Sequence, residues 1–147
     1  MNEGHEMSYT IRPFKLADAE QIVEILKKNG QYDYPNVEGP EAMARLVECD
    51  VVVFLVAEMN SKVIGCIRAT YDGSRAMIHL LSVQPEYQIQ KIGTSLVKSV
   101  IDILSKRGAP TVSVTVNDAS AGFWSKLGFE KLPVFIMLRN TDINKQQ

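Results

Sequence analysis

The residues best placed to do chemistry lie where an apolar, strand-like run gives way to an amphipathic helix, in VQPEYQIQKIGTSLV, Val83 to Val97. A helix N-terminus presents unpaired N–H groups and about half a positive charge, so the turn formed by Gln88, Ile89, Gln90, Lys91, Ile92, Gly93 and Thr94 suits an anion such as a phosphate. A glycine at this point also eases a strand-to-helix turn without any ligand, and both readings stand. A dinucleotide fingerprint needs more glycines and an acidic residue about 20 positions further on, and a Walker loop needs GKS or GKT; neither is present. His79 lies four residues before Val83, on the same strand face if no bulge intervenes. It is either a packed, hydrogen-bonded strand residue or a base.

Composition narrows the chemistry. At 147 residues the chain has the size of one domain with one substantial core, so 1–147 is read as a single unit with flexible ends at 1–8 and 140–147. A hydrophobic content of 46% and a net charge of -1 give no global attraction to nucleic acid or anionic membrane, and neither is expected as a partner. Cys49 and Cys66 lack ligand spacing, so no metal is expected and both read as buried thiols. No apolar run reaches the roughly 18 residues of a membrane span, and MNEGHEMSYT has no signal-peptide core; a cytoplasmic protein is the expectation.

Several elements must position these residues. TIRPF reads as a short strand, followed by a helix that Asp18 and Gln21 box at its start and Gly30 ends. QYDYPNVEGP is a polar, aromatic rim, after which Pro40 opens a second short helix. VVVFLVAE, KVIGCIRATY and RAMIHLLSV then form three antiparallel strands joined by MNSK and DGS turns. A helix over residues 92–107 connects them to TVSVTV, which can lie parallel to RAMIHLLSV through a right-handed crossover. Asn117 or Asp118 caps another helix that Gly128 ends, and PVFIMLR supplies a last strand. Gly122 inside that helix suggests close packing.

Three segments in this order, IRPFKLADAEQI, LLSVQPEYQIQKIG and NDASAGFWSKLGFE, resemble the GNAT superfamily of acetyl-coenzyme A dependent N-acetyltransferases over about Thr10 to Leu138. The resemblance implies an α/β (α+β) fold with a mixed, mostly antiparallel sheet of six to seven strands flanked by about four helices. It implies acetyl-CoA as cosubstrate, a primary amine as acceptor and direct attack in a ternary complex. The end of RAMIHLLSV would separate from TVSVTV, and the pantetheine arm would bond to the main chain of Leu81, Ser82 and Val83 in the gap. The Val83 N–H would face the thioester oxygen, with Gln88 to Thr94 around the pyrophosphate and Asn117 and Trp124 beside the coenzyme. A homodimer, common in the family, is a further expectation.

Two positions depart from the family pattern. Lys91 stands where a glycine is usual; the expectation is that it keeps a negative φ and adds its ammonium to the phosphates. Trp124 stands where many members have an acid tyrosine, and an indole N–H is no proton source, so Trp124 reads first as a packing aromatic. A thiolate with a pKa near 8.5 leaves tolerably without an acid, and a proton donor typically contributes ~10²–10⁴-fold. Transfer thus remains the expected activity, with a catalytically inert acyl-CoA-binding regulatory module as the alternative.

Overall fold

The structure, a computed structural model, describes residues 8–142. The ends expected to be flexible fall largely outside the described residues. Chain contacts define two compact units, Met1–Val114 and Thr115–Gln147.

The first unit carries one five-stranded sheet in the order β1-β2-β3-β4-β5. Strands β1 (Thr10–Pro13), β2 (Val52–Met59), β3 (Lys62–Tyr71) and β4 (Ala76–Val83) pair antiparallel in sequence order, and β5 (Val112–Val114) lies parallel to β4. Asn60 and Ser61 both have positive φ, 52° and 66°, the dihedrals that let a two-residue turn follow the strand twist between β2 and β3. The crossover from β4 to β5 runs through α4 (Ile92–Lys106), as the apolar spacing requires.

Side chains alternate across the sheet. Phe54, Val56, Cys66 and Leu80 join Ile22, Ile25 and Leu26 of α1 (Ala19–Lys28) and Met43 of α3 (Pro40–Leu46) in one core cluster. The i, i+3, i+4 spacing of the three α1 residues puts them on one stripe, and all three are fully buried. Leu55, Gly65, Ile67, Leu81 and Val83 point to the other face, against α4. A Cβ on Gly65 would lie 3.2 Å from the Ser82 carbonyl oxygen, 3.3 Å from a Val83 methyl and 3.4 Å from a Leu96 methyl, so the absent side chain sets how closely helix and sheet approach.

Several expectations need correction. Asp18 does not box α1: its carboxylate accepts the Lys15 N–H (2.8 Å) and the Arg12 guanidinium (2.9 Å to each oxygen), which closes a 3-10 turn ahead of the helix, while Gln21 accepts the Val63 N–H. Burial alone would push the Asp18 carboxyl up; Arg12 and the Lys15 N–H hold it below its ordinary value. Cys66 is buried, with its thiol pushed up to about 12 by desolvation, but Cys49 is exposed. The sheet has five strands rather than six or seven, because PVFIMLR forms none. Its apolar run has strand-like composition but no ladder partner among the described residues, and Val134 through Leu138 are exposed. Among the described residues no helix is long and apolar enough to cross a membrane.

The second unit contains α5 (Ala121–Lys126). Ser120, not Asn117 or Asp118, is its N-cap; the Asn117 amide oxygen accepts the Ser120 N–H at 3.0 Å and so shapes the turn before it. A Cβ on Gly122 would meet no protein atom within 4 Å.

Candidate functional site

The end of β4 is built around its main chain. Gln84 N–H donates to the Ile64 carbonyl at 2.8 Å. In an antiparallel ladder alternate residues face the partner, so the N–H and C=O groups of Leu81 and Val83 point away from β3. On that side the ladder with β5 ends at Ile78 and Val114. The β4 residues beyond Ile78 have no ladder partner on that side among the described residues, and Leu81 and Val83 aim their N–H donors away from β3 there.

The carbonyls of these two residues are held from elsewhere. Gln31 Nε2 donates to the Leu81 oxygen at 3.2 Å, and Asn29 Nδ2 and Gln88 Nε2 donate to the Val83 oxygen at 2.8 and 3.0 Å. Ser82, buried on the α1 side, accepts from Asn29 at 2.8 Å and donates to Gln31 at 2.6 Å. Gln88 also donates to Asn29 Oδ1 at 3.1 Å. The end of α1 is thus bolted to β4 by four polar side chains. Gln88, expected at a pyrophosphate, turns its amide to the strand and serves the loop's shape.

After Val83 the chain makes a 3-10 turn, Pro85–Gln90, to which Ile89 and Gln90 contribute main chain. Lys91 then adopts φ 61°, ψ 18°, the left-handed region, and contradicts the negative φ expected of it. The steric reason is the sharp reversal from a 3-10 turn into α4 within one residue, which a single left-handed residue accomplishes. Lys91 O accepts the Ser95 N–H at 3.1 Å as the first bond of the helix. The N–H groups of Ile92, Gly93 and Thr94 are its orphan donors, backed by a helix of 15 residues.

His79 does not share the face of Val83. Leu80 pairs with Arg68 and Ile78 with Ala69, so His79 is the extra residue of a β-bulge, which breaks the alternation. Its Nε2 and the Thr70 hydroxyl are hydrogen-bonded at 2.8 Å. Burial lowers its pKa, with Arg68 adding to the effect and Glu38 opposing it. Arg68 belongs to the face of Phe54 and Leu80. It is buried, lies with its guanidinium carbon 6.0 Å from the Phe54 ring centroid and donates from Nη1 to Glu38 of α2 (Pro35–Glu38) at 3.0 Å.

In the second unit Trp124 is buried and packs edge-to-face with Phe123 and Phe129, each centroid 5.2 Å away. That is the packing role its chemistry suggested. A cavity of about 270 Å³ lined by Phe14, Leu46, Val47, Phe54, Ile103 and Arg107 lies at the other end of α4, away from the donor groups.

Asn29, Gln31, Glu38 and Arg68 were not singled out from the sequence. Asn29 read only as part of a helix stop and Gln31 as the start of the rim, which hides that their amides reach fifty or more positions along the chain to β4. The lone arginine within KVIGCIRATY was the available signal for the other pair.

The acetyltransferase (GNAT) family model matches residues 19–129. Among solved structures, the PaiA N-acetyltransferase from Thermoplasma acidophilum in complex with coenzyme A superimposes with a TM-score of 0.79 at 23% identity, covering 88% of this chain and 94% of that one. A GNAT family acetyltransferase from Streptococcus pneumoniae gives 0.72 at 24% identity, with 92% and 100% covered. Glucosamine-6-phosphate N-acetyltransferase from Arabidopsis thaliana gives 0.71 at 18%, with 92% and 99% covered. These likenesses show the fold, and the match over most of the chain shows the lineage: this protein belongs to the acetyltransferase (GNAT) family.

Proposed function

We propose that the chain transfers the acetyl group of acetyl-CoA to a primary amine by direct attack in a ternary complex. The observation that carries this reading is the pair of main-chain donors, Leu81 and Val83 N–H, aimed away from β3 past the end of the β4–β5 ladder, on the strand that leads into the orphan donors of α4. These groups fit the two ends of the cosubstrate: a pyrophosphate suits Ile92 to Thr94, and an amide-bearing arm suits the edge of β4. In the reaction the amine nitrogen bonds to the carbonyl carbon, the carbon–sulfur bond breaks and the thiolate leaves with the electron pair. Val83 N–H stabilises the oxygen as charge builds on it; one such donor is typically worth about 2.7–4 kcal/mol.

Proton demand depends on the acceptor. An amine with a pKa near 8 is about a tenth neutral at pH 7 and needs little help, whereas a lysine amine near 10.4 needs a base. Trp124, packed between two phenylalanines, offers no proton and favours as second reading an inert acyl-CoA-binding module. Calorimetry with acetyl-CoA tests the coenzyme site, and absence of heat at millimolar ligand sinks both readings. Thiol release across an amine panel separates them, since catalysed turnover of any amine eliminates the module.

A further inference from the structure

The protein contains two guanidinium groups in partly or fully buried settings, and it treats them differently. Arg12 engages two carboxylates and a carbonyl: Nη1 and Nη2 reach both oxygens of Asp18, Nε and Nη2 reach Glu58, and Nη1 also donates to the Pro13 oxygen. The side chain of Arg68 is the more buried, 9% exposed against 21% for Arg12. Yet among the described residues it makes one hydrogen bond, from Nη1 to a single oxygen of Glu38.

That order is inverted from what desolvation demands. A guanidinium carries five N–H donors in a planar fork, and burial raises the cost of each one left without an acceptor. This fold can saturate such a fork, as Arg12 shows. Among the described residues Nε and Nη2 of Arg68 have no hydrogen-bond acceptor. Two carboxylates on one guanidinium is the arrangement already seen at Arg12, so Glu38 does not preclude a second.

We infer that Arg68, steadied by Glu38, binds a carboxylate of the acceptor, so that the amine acetylated is one that also carries a carboxylate. The inference rests on the proposed function, which puts the reacting amine beside Val83. Leu80, the partner of Arg68, precedes Val83 by three residues, about 10 Å along a strand. Amine and carboxylate of the acceptor therefore stand several ångströms apart, as in an ω-amino carboxylate or a short peptide, rather than on one carbon.

The test uses ω-amino carboxylates from glycine to 6-aminohexanoate, each paired with its primary amide. The expected result is one preferred length at which the carboxylate exceeds its amide about 10–100-fold in kcat/KM, the worth of one charge-assisted hydrogen-bonded contact. Arg68→Gln should erase that ratio through KM. Because this variant strands Glu38, the Arg68→Gln/Glu38→Gln double variant, checked for folding by circular dichroism, should behave the same. A ratio near one at every length, or a ratio that survives both variants, overturns the inference. Calorimetry of the same carboxylates with coenzyme A present reads the site without turnover. Carboxylate-specific heat that vanishes without Arg68 supports the inference even where no amine is acetylated, an outcome that refutes only the proposed function. Absence of that heat overturns the inference.

Discussion

Lys91→Gly separates backbone strain from charge at the entrance of α4. A non-glycine residue in the left-handed region costs roughly 1–2 kcal/mol, and Lys91 has no side-chain cap bond to offset it. Glycine removes that cost but loses about 0.5–1 kcal/mol more chain entropy on folding. The net expectation is a gain of about 0.5–1 kcal/mol, which for a chain of this size raises Tm by about 1–4 °C. Urea denaturation followed by circular dichroism reads it as a higher midpoint at unchanged slope. Lys91→Ala keeps the strain and should gain nothing, while Lys91→Asn, tolerant of this region, should fall between. The strain belongs to the fold, so its relief moves stability, whereas loss of the ammonium acts on acetyl-CoA affinity and should weaken it modestly and flatten its salt dependence. A lower midpoint for Lys91→Gly, or an equal gain for Lys91→Ala, refutes the argument.

Asn29→Ala removes both donor bonds to β4 and the acceptor for Gln88; a loss of about 1–3 kcal/mol in urea unfolding is expected, since buried partners are left unsatisfied. Arg12→Met strands the Asp18 carboxylate, 5% exposed, and should cost about 3 kcal/mol at neutral pH, the lower end of the range for breaking a buried pair because Arg12 is partly exposed. The folded pKa of Asp18 is lowered, so its contribution is present above the unfolded carboxyl value and disappears as pH falls through the folded one; the wild-type advantage over Arg12→Met should shrink in that acid window. His79 also has a lowered folded pKa, so the unfolded chain takes up its proton first as pH drops below about 6.5. Stability should decline there, and His79→Gln should remove that part of the decline; identical pH profiles for the two proteins refute it.

The turn and period signals in the sequence reached far into the fold. The three antiparallel strand runs appeared in order, and the helix expected over residues 92–107 led from the last of them to the parallel strand in TVSVTV. What stayed hidden was two-body in nature. No local signal says that Asn29 and Gln31 reach carbonyls on β4, that a bulge turns His79 away from the face of Val83, or that PVFIMLR lacks a partner strand among the described residues. Lys91 is the instructive case between these: its place in the loop was recognised, but its dihedral depended on how sharply the chain had to turn there.

Gly65 ties three positions into one coupled set. Its missing side chain lies against the Ser82 carbonyl, Val83 and Leu96, so the residue size tolerated at any one of them depends on the other two. Substitutions here should combine non-additively: Gly65→Ala, disruptive alone, should be partly rescued by Val83→Ala, which vacates the space the new methyl needs. The spacing between the donor edge of β4 and the helix beneath it is then a quantity that side-chain volume can adjust in sub-ångström steps, without touching either set of donors.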